Sequence, residues 1–172
     1  MRYFLCISYR GSGFSGWQIQ ENAPTIEAEV EKVLSTLLGE PIDVVGAGRT
    51  DTGVNAKNFY AHFDTSRDKL LADSGKMVYK MNAILPYGIS VNSIFPVHDD
   101  AHARFDATHR TYKYYIHCTK DPFLYMTLPY GSKTPERKGT SMSATIFISV
   151  LSQYQVCNGK GTGFTGKHIR SQ

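Results

Sequence analysis

Cysteine, long apolar runs and a strong charge of one sign are all scarce in this chain. Its three cysteines, Cys6, Cys118 and Cys157, are too few and too far apart for a zinc knuckle or a disulfide framework. Cys6 also falls inside an apolar, strand-like stretch, so reduced thiols are expected. No apolar run approaches membrane length, and the N-terminus lacks a charged segment followed by an apolar stretch and a cleavage site. A cytoplasmic address is the expectation. His102, His109 and His117 have no carboxylate or thiolate at a consistent ligand spacing, so no metal site is expected. The formal charge is only +4, and residues 1–130 hold 13 Lys and Arg against 14 Asp and Glu, whereas residues 131–172 hold 6 against 1. Basicity therefore belongs to the tail, and in the first part only local clusters can argue for an anionic partner.

With 172 residues and 41% apolar side chains, the chain can bury one core of ordinary size, as one or two small lobes. Tyr3, Leu5, Ile7 and Tyr9 alternate with Phe4, Cys6 and Ser8, the period of a strand with one apolar face. Thr25 can cap a helix with Glu27 in its first turn. Ile26, Val30, Val33, Leu34, Leu37 and Leu38 recur there at helical spacing until Gly39 and Pro41 stop it. A second strand is expected over Ile42 to Val45 and a third from about Lys57 to Thr65. A second helical pattern, Met77, Val78, Met81, Ile84 and Leu85, ends before Pro86, with Asp73 and Gly75 weakening its start. Ile89 to Val97 reads as a fourth strand. Strand, helix, strand, strand, helix, strand is the α+β, ferredoxin-like (βαββαβ) order: an antiparallel sheet with helices on one face and the other face open.

Between the second and third strands lies Gly46-Ala47-Gly48-Arg49-Thr50-Asp51-Thr52-Gly53, which sets an Arg, two Thr and an Asp among three glycines. The glycines give a backbone that a polymer can approach closely, and the charges can act on it. A dinucleotide fingerprint is excluded, because its third glycine falls on Asp51 and no helix follows; a Walker loop is excluded for want of Gly-Lys-Ser/Thr. The plain alternative is a wide hairpin turn in which Asp51 bonds its own backbone. Arg10-Gly11-Ser12-Gly13-Phe14-Ser15-Gly16-Trp17-Gln18 is a second glycine-punctuated loop with the single Trp. It reads equally as a loop pinned by Trp17 and Phe14 or as an RNA contact through Arg10 or Gln18. Farther on, Arg104, Arg110 and Lys113 interleave with Phe105, Tyr112, Tyr114 and Tyr115, chemistry suited to phosphates and bases together. The alternative there is a strand with packed tyrosines and solvated cations. Asp99-Asp100 reads as a solvated turn before a new lobe.

The stretch Gly46 to Ala56 resembles the signature of the TruA family of tRNA pseudouridine synthases, G-A-G-R-T-D-A-G-V-H-A, departing only at Thr52 and Asn55. The Arg10–Gln18 loop, Asn82-Ala83-Ile84-Leu85-Pro86 and His102-Ala103-Arg104-Phe105-Asp106-Ala107 are also similar to family stretches. The resemblance covers about residues 1–125. Family members continue into a second lobe that supplies a basic residue near the catalytic aspartate, and that residue maps onto no position here; Lys160, Lys167 and Arg170 are the available cations.

The resemblance implies isomerisation of uridine to pseudouridine in the anticodon stem-loop of tRNA, at uridines 38, 39 and 40, without metal or organic cofactor. It implies Asp51, Tyr112 and Arg49 as catalytic residues, with Asp51 the nucleophile, and a homodimer as the active form. Thr50, Arg10, Gln18, Arg104, Arg110 and Lys113 are the expected substrate-binding residues. The expected organisation is a ferredoxin-like domain over 1–98 carrying the loop, the start of a second lobe over 99–125, and a divergent, disordered basic tail over 126–172. The rival reading is a remnant that binds RNA without catalysis.

Overall fold

The computed structural model describes residues 1–67, 73–117 and 143–149. Alternation places Tyr3, Leu5, Ile7 and Tyr9 of β1 (Arg2–Tyr9) in the main core, while Phe4 and Cys6 are buried on the opposite face. Helix α1 (Ile26–Leu38) begins where Thr25 accepts the Ala28 N–H through its hydroxyl, and ends at Gly39, whose φ of 69° closes the last turn onto the Ser35 carbonyl. Ile26, Val30, Val33, Leu34 and Leu38 form its buried stripe.

Strand β2 is short (Val44–Gly46) and starts two residues later than the apolar run predicts. The Ile42 N–H is taken by the Ser35 hydroxyl at 3.0 Å, which leaves the ladder to begin at Val44. Strand β3 runs Asn55–Asp64, beginning before Lys57 because its first residues have a partner far away in sequence. Helix α2 (Ser74–Ile84) buries Met77 and Met81. Asp73 strengthens the start of this helix, contrary to the propensity argument, because its carboxylate accepts the Lys76 N–H at 3.0 Å as an N-cap. Strand β4 (Ile89–Val97) follows the expected bounds.

Central β1 pairs antiparallel with β3 on one side and β4 on the other, and β2 joins β3 through Val44↔Phe63 to Gly46↔Ala61. The order β4-β1-β3-β2 with two helices is the expected ferredoxin-like lobe. Strands β5 (Thr111–His117) and β6 (Ser143–Ser149) pair antiparallel with each other. Strand β6 then adds to β3 in parallel, Asn55↔Phe147 to Lys57↔Ser149. The outer edge of β3 is thus divided, with β6 at one end and β2 at the other.

The helix-free face is not wholly open. After β4 the chain folds back as a strap: Arg2 Nη1 donates to the Ala101 carbonyl at 2.9 Å, and the Ala103 N–H donates to His62 Nδ1 at 3.1 Å. Phe4 lies under this end, its ring centroid 6.1 Å from both His62 and Phe95. Asp99 and Asp100 occupy an exposed turn at its start. Cys118, Cys157, Lys160, Lys167 and Arg170 lie outside the described residues.

Candidate active site

The loop joining β2 to β3 is fixed chiefly by its backbone. Ala47 N–H donates to the Tyr60 carbonyl at 2.7 Å, Trp17 N–H to the Thr50 carbonyl at 3.0 Å, and Val54 N–H to the Asp51 carbonyl at 3.2 Å. Beneath it the buried hydroxyls of Tyr9 and Thr50 lie 2.9 Å apart. Burial pushes the Tyr9 phenol well above its usual range, so it remains protonated and able to donate. Two glycines of the preceding loop are required by this contact. A Cβ on Gly16 (φ +91°) would stand 2.4 Å from the Thr50 carbonyl oxygen, and one on Gly11 would stand 2.3 Å from that of Val54.

Trp17 underpins the arrangement. Its ring centroid is 4.4 Å from that of Phe59, its indole N–H donates to Glu27 at 2.9 Å, and its edge fills the space where a Cβ of Gly46 would stand. The other Glu27 oxygen accepts the Ile19 N–H at 2.9 Å, which fixes the backbone on either side of Gln18. Asn55, buried in β3, accepts the Gly11 N–H at 2.9 Å and holds the two loops together.

Above this frame is a cleft of about 290 Å³ lined by Arg49, Thr50, Phe59, Arg104, Arg110 and Tyr112. A smaller hollow of about 130 Å³ continues past Arg49 and Arg104 to Gln18. Arg49, Arg104 and Tyr112 are exposed, Tyr112 at 53%. Thr50 is only 6% exposed, and its hydroxyl is engaged by Tyr9, so it builds the wall from below. Arg110 donates through Nε and Nη2 to the Ala47 carbonyl at 3.1 and 2.7 Å, and through Nη2 to the Arg104 carbonyl at 2.7 Å. Its guanidinium thereby joins strap to loop while adding charge to the cleft.

Asp51 is exposed, and among the described residues its carboxylate has no hydrogen-bond or ion-pair partner. It lines neither hollow, and neither do Arg10 and Lys113, both exposed. The structure therefore groups Arg49, Thr50, Arg104, Arg110 and Tyr112 around one cleft, with Gln18 in the adjoining hollow. Asp51 follows Thr50 in the same loop. Among the described residues, no three His, Cys, Asp or Glu side chains converge as metal ligands, and no helix is long and apolar enough to cross a membrane. Tyr9, Glu27 and Asn55 are the frame residues that sequence reasoning missed. Tyr9 reads as plain core, and Asn55 is visible only as a departure from the signature.

A ferredoxin-like lobe with a cleft lined by the guanidinium groups of Arg49, Arg104 and Arg110 is a site suited to an anionic polymer. The chain matches no family profile, yet individual relatives are close. It is 48% identical over 122 residues to tRNA pseudouridine synthase A of Parabacteroides distasonis, covering 71% of this chain and 48% of that protein. Against the protein of the same name in Bacteroides fragilis it is 49% identical over 122 residues, with the same two shares. Against that of Azobacteroides pseudotrichonymphae it is 40% identical over 153 residues, covering 89% of this chain and 60% of the relative. The chain belongs to the TruA family, that of tRNA pseudouridine synthase A, and spans about half the length of most of the curated relatives it matches.

Proposed function

We propose that this chain carries the catalytic lobe of a tRNA pseudouridine synthase, an isomerase acting on uridines 38, 39 and 40 of the anticodon stem-loop, with Asp51 as nucleophile. The observation that supports it most is the loop itself: an exposed carboxylate without a partner among the described residues, on a backbone clamped at Ala47, Thr50 and Val54, in the loop whose Arg49 and Thr50 line the cationic cleft. A side chain left free on so constrained a frame is what an attack on substrate requires.

Isomerisation consumes no oxidant, reductant or water. The Asp51 carboxylate attacks C1′ of the ribose, the N1–C1′ bond breaks, and its electron pair leaves with the uracil. The base turns, C5 bonds to C1′ and the carboxylate is released; loss of the C5 proton and protonation of N1 complete pseudouridine. Tyr112 stacks on the base and handles a proton through its hydroxyl. Arg49 fills the place of the flipped nucleotide or holds its phosphate. Arg104 and Lys113 bind backbone phosphates, and Arg10 and Gln18 extend that track along the neighbouring loop. A homodimer sharing one tRNA is the proposed active assembly.

A second reading is a lobe that binds RNA through the same cationic cleft without turning it over. The two separate in one experiment: pseudouridine formation in unmodified tRNA, scored nucleotide by nucleotide, with the parent beside Asp51→Asn. Product from the parent alone supports the enzyme. Binding by both, without product from either, overturns it in favour of the binding module.

A further inference from the structure

His62 has no part in the chemistry above, yet it is a buried titratable group under the strap on the helix-free face. Alternation along β3 turns Phe59, Ala61 and Phe63 into the main core and His62 to the other side. There it is 4% exposed, with the His102 ring edge-on at 4.6 Å. Its Nδ1 accepts the buried Ala103 N–H at 3.1 Å.

What Ala103 carries makes this bond consequential. It sits in a tight turn closed by His102 N–H to the Asp106 carboxylate at 2.6 Å, Asp106 N–H to the His102 carbonyl at 3.0 Å, and Arg104 N–H to His102 Nδ1 at 3.1 Å. The next carbonyl, that of Arg104, accepts from Arg110, which in turn grips the Ala47 carbonyl of the catalytic loop. A chain of hydrogen bonds thus runs from the sheet, through the strap, to the cleft wall. We propose that His62 is a positioning residue for the cleft: by seating Ala103 on the sheet it sets Arg104 and Arg110 against the loop that carries Arg49 and Asp51.

The acceptor role requires that Nδ1 carry no proton. Burial, first, and then the positive charge of Arg2 and the neighbouring His102 push His62 down to about 4, against the opposing pull of Asp64 and Asp106. The ring is accordingly neutral through the physiological range, and protonation would set two N–H groups against each other. No other titratable or charged group among the described residues acts on it.

This proposal rests on the reading of the cleft as an RNA site, and its test keeps the two apart. Two variants of the full chain are compared with the parent: His62→Asn, whose Oδ1 can accept the Ala103 N–H, and His62→Leu, which cannot. Far-UV circular dichroism and urea unfolding first establish that each is folded. Amide exchange of Ala103 and Phe105 is then followed against pH, and binding of unmodified tRNA is measured at fixed salt. The parent should lose Ala103 protection as pH falls toward about 4. The Asn variant should retain it, and the Leu variant should lack it throughout. At neutral pH, His62→Leu should bind tRNA roughly tenfold more weakly, the scale of one lost buried hydrogen bond, with His62→Asn near the parent. Equal Ala103 exchange in all three proteins, or an Asn variant no better than Leu, overturns the positioning role. A parent that binds no tRNA overturns the RNA reading, and exchange alone then decides the role of His62.

Discussion

The hydroxyl pair beneath the β2–β3 loop gives the sharpest test of how that loop is held. Tyr9 and Thr50 are both buried, 2.9 Å apart, and Thr50 precedes Asp51. Tyr9→Phe removes one hydroxyl and leaves the other desolvated, which costs about 1–2 kcal/mol, and Thr50→Val should cost a similar amount. The double variant has no orphaned group, so it should lose far less than the sum, with a coupling of about 1–2 kcal/mol in the cycle. Urea unfolding at neutral pH reads this directly. Trp17, the single tryptophan, is buried with its ring centroid 6.1 Å from that of Tyr9, and its emission reports on this region. The denaturant slope should stay constant, so that midpoints report stability. Singles that add to within about 0.3 kcal/mol of the double would refute the argument, since additivity is the behaviour of groups that do not touch.

Gly46→Ala should destabilise by about 1–3 kcal/mol, because the new Cβ would press on the Trp17 indole at 2.6–2.9 Å; a shift in tryptophan emission should accompany the fall in urea midpoint. Asp73→Ala removes the α2 N-cap and should cost about 1 kcal/mol in the same assay, whereas Asp73→Asn should cost much less. Folding lowers the His62 pKa from 6.5 to about 4, so its contribution is complete above pH 6.5 and is lost as pH falls toward 4, where the unfolded chain binds the extra proton. The loss is at most about 3 kcal/mol. Between those pH values, the stability curve of His62→Asn should be flatter than that of the parent, and parallel curves would count against a buried neutral imidazole.

The lobe was legible where local signals agree with the final fold. The α1 stripe, its Thr25 and Gly39 caps, and the β4 run each carry their own periodicity and stops. Boundaries failed where a distant partner decides them: β3 starts at Asn55 because β6 pairs there, and no local feature of Asn55-Ala56 announces a strand more than eighty residues away. Asp73 misled because propensity treats it as a poor helix former, while one residue outside the helix its carboxylate is an asset. Of the cleft, the cationic and aromatic residues could be picked out because their chemistry is unusual in a loop or strand. Tyr9 and His62 could not, since a tyrosine or histidine alternating with apolar neighbours looks the same whether it fills space or aims a hydrogen bond, and Glu27 reads simply as a first-turn helix acid. Arg110, expected on the substrate, lines the cleft while two backbone carbonyls hold it, and those carbonyls are partners that no local pattern announces.

That the loop is held at carbonyls and amides, with the Arg49 and Asp51 side chains left out of the bonding among the described residues, has an evolutionary side. Drift at a side chain and drift in the scaffold become separate events. A lineage can exchange Thr52 or Asp51 without disturbing the socket, and such a descendant would keep the fold of its ancestor almost intact. Glycines 11, 16 and 46 have no such freedom, because neighbouring backbone or the Trp17 ring fills the space of their missing side chains. In a comparison of descendants, then, the glycines record whether the socket survives, whatever side chain position 51 carries.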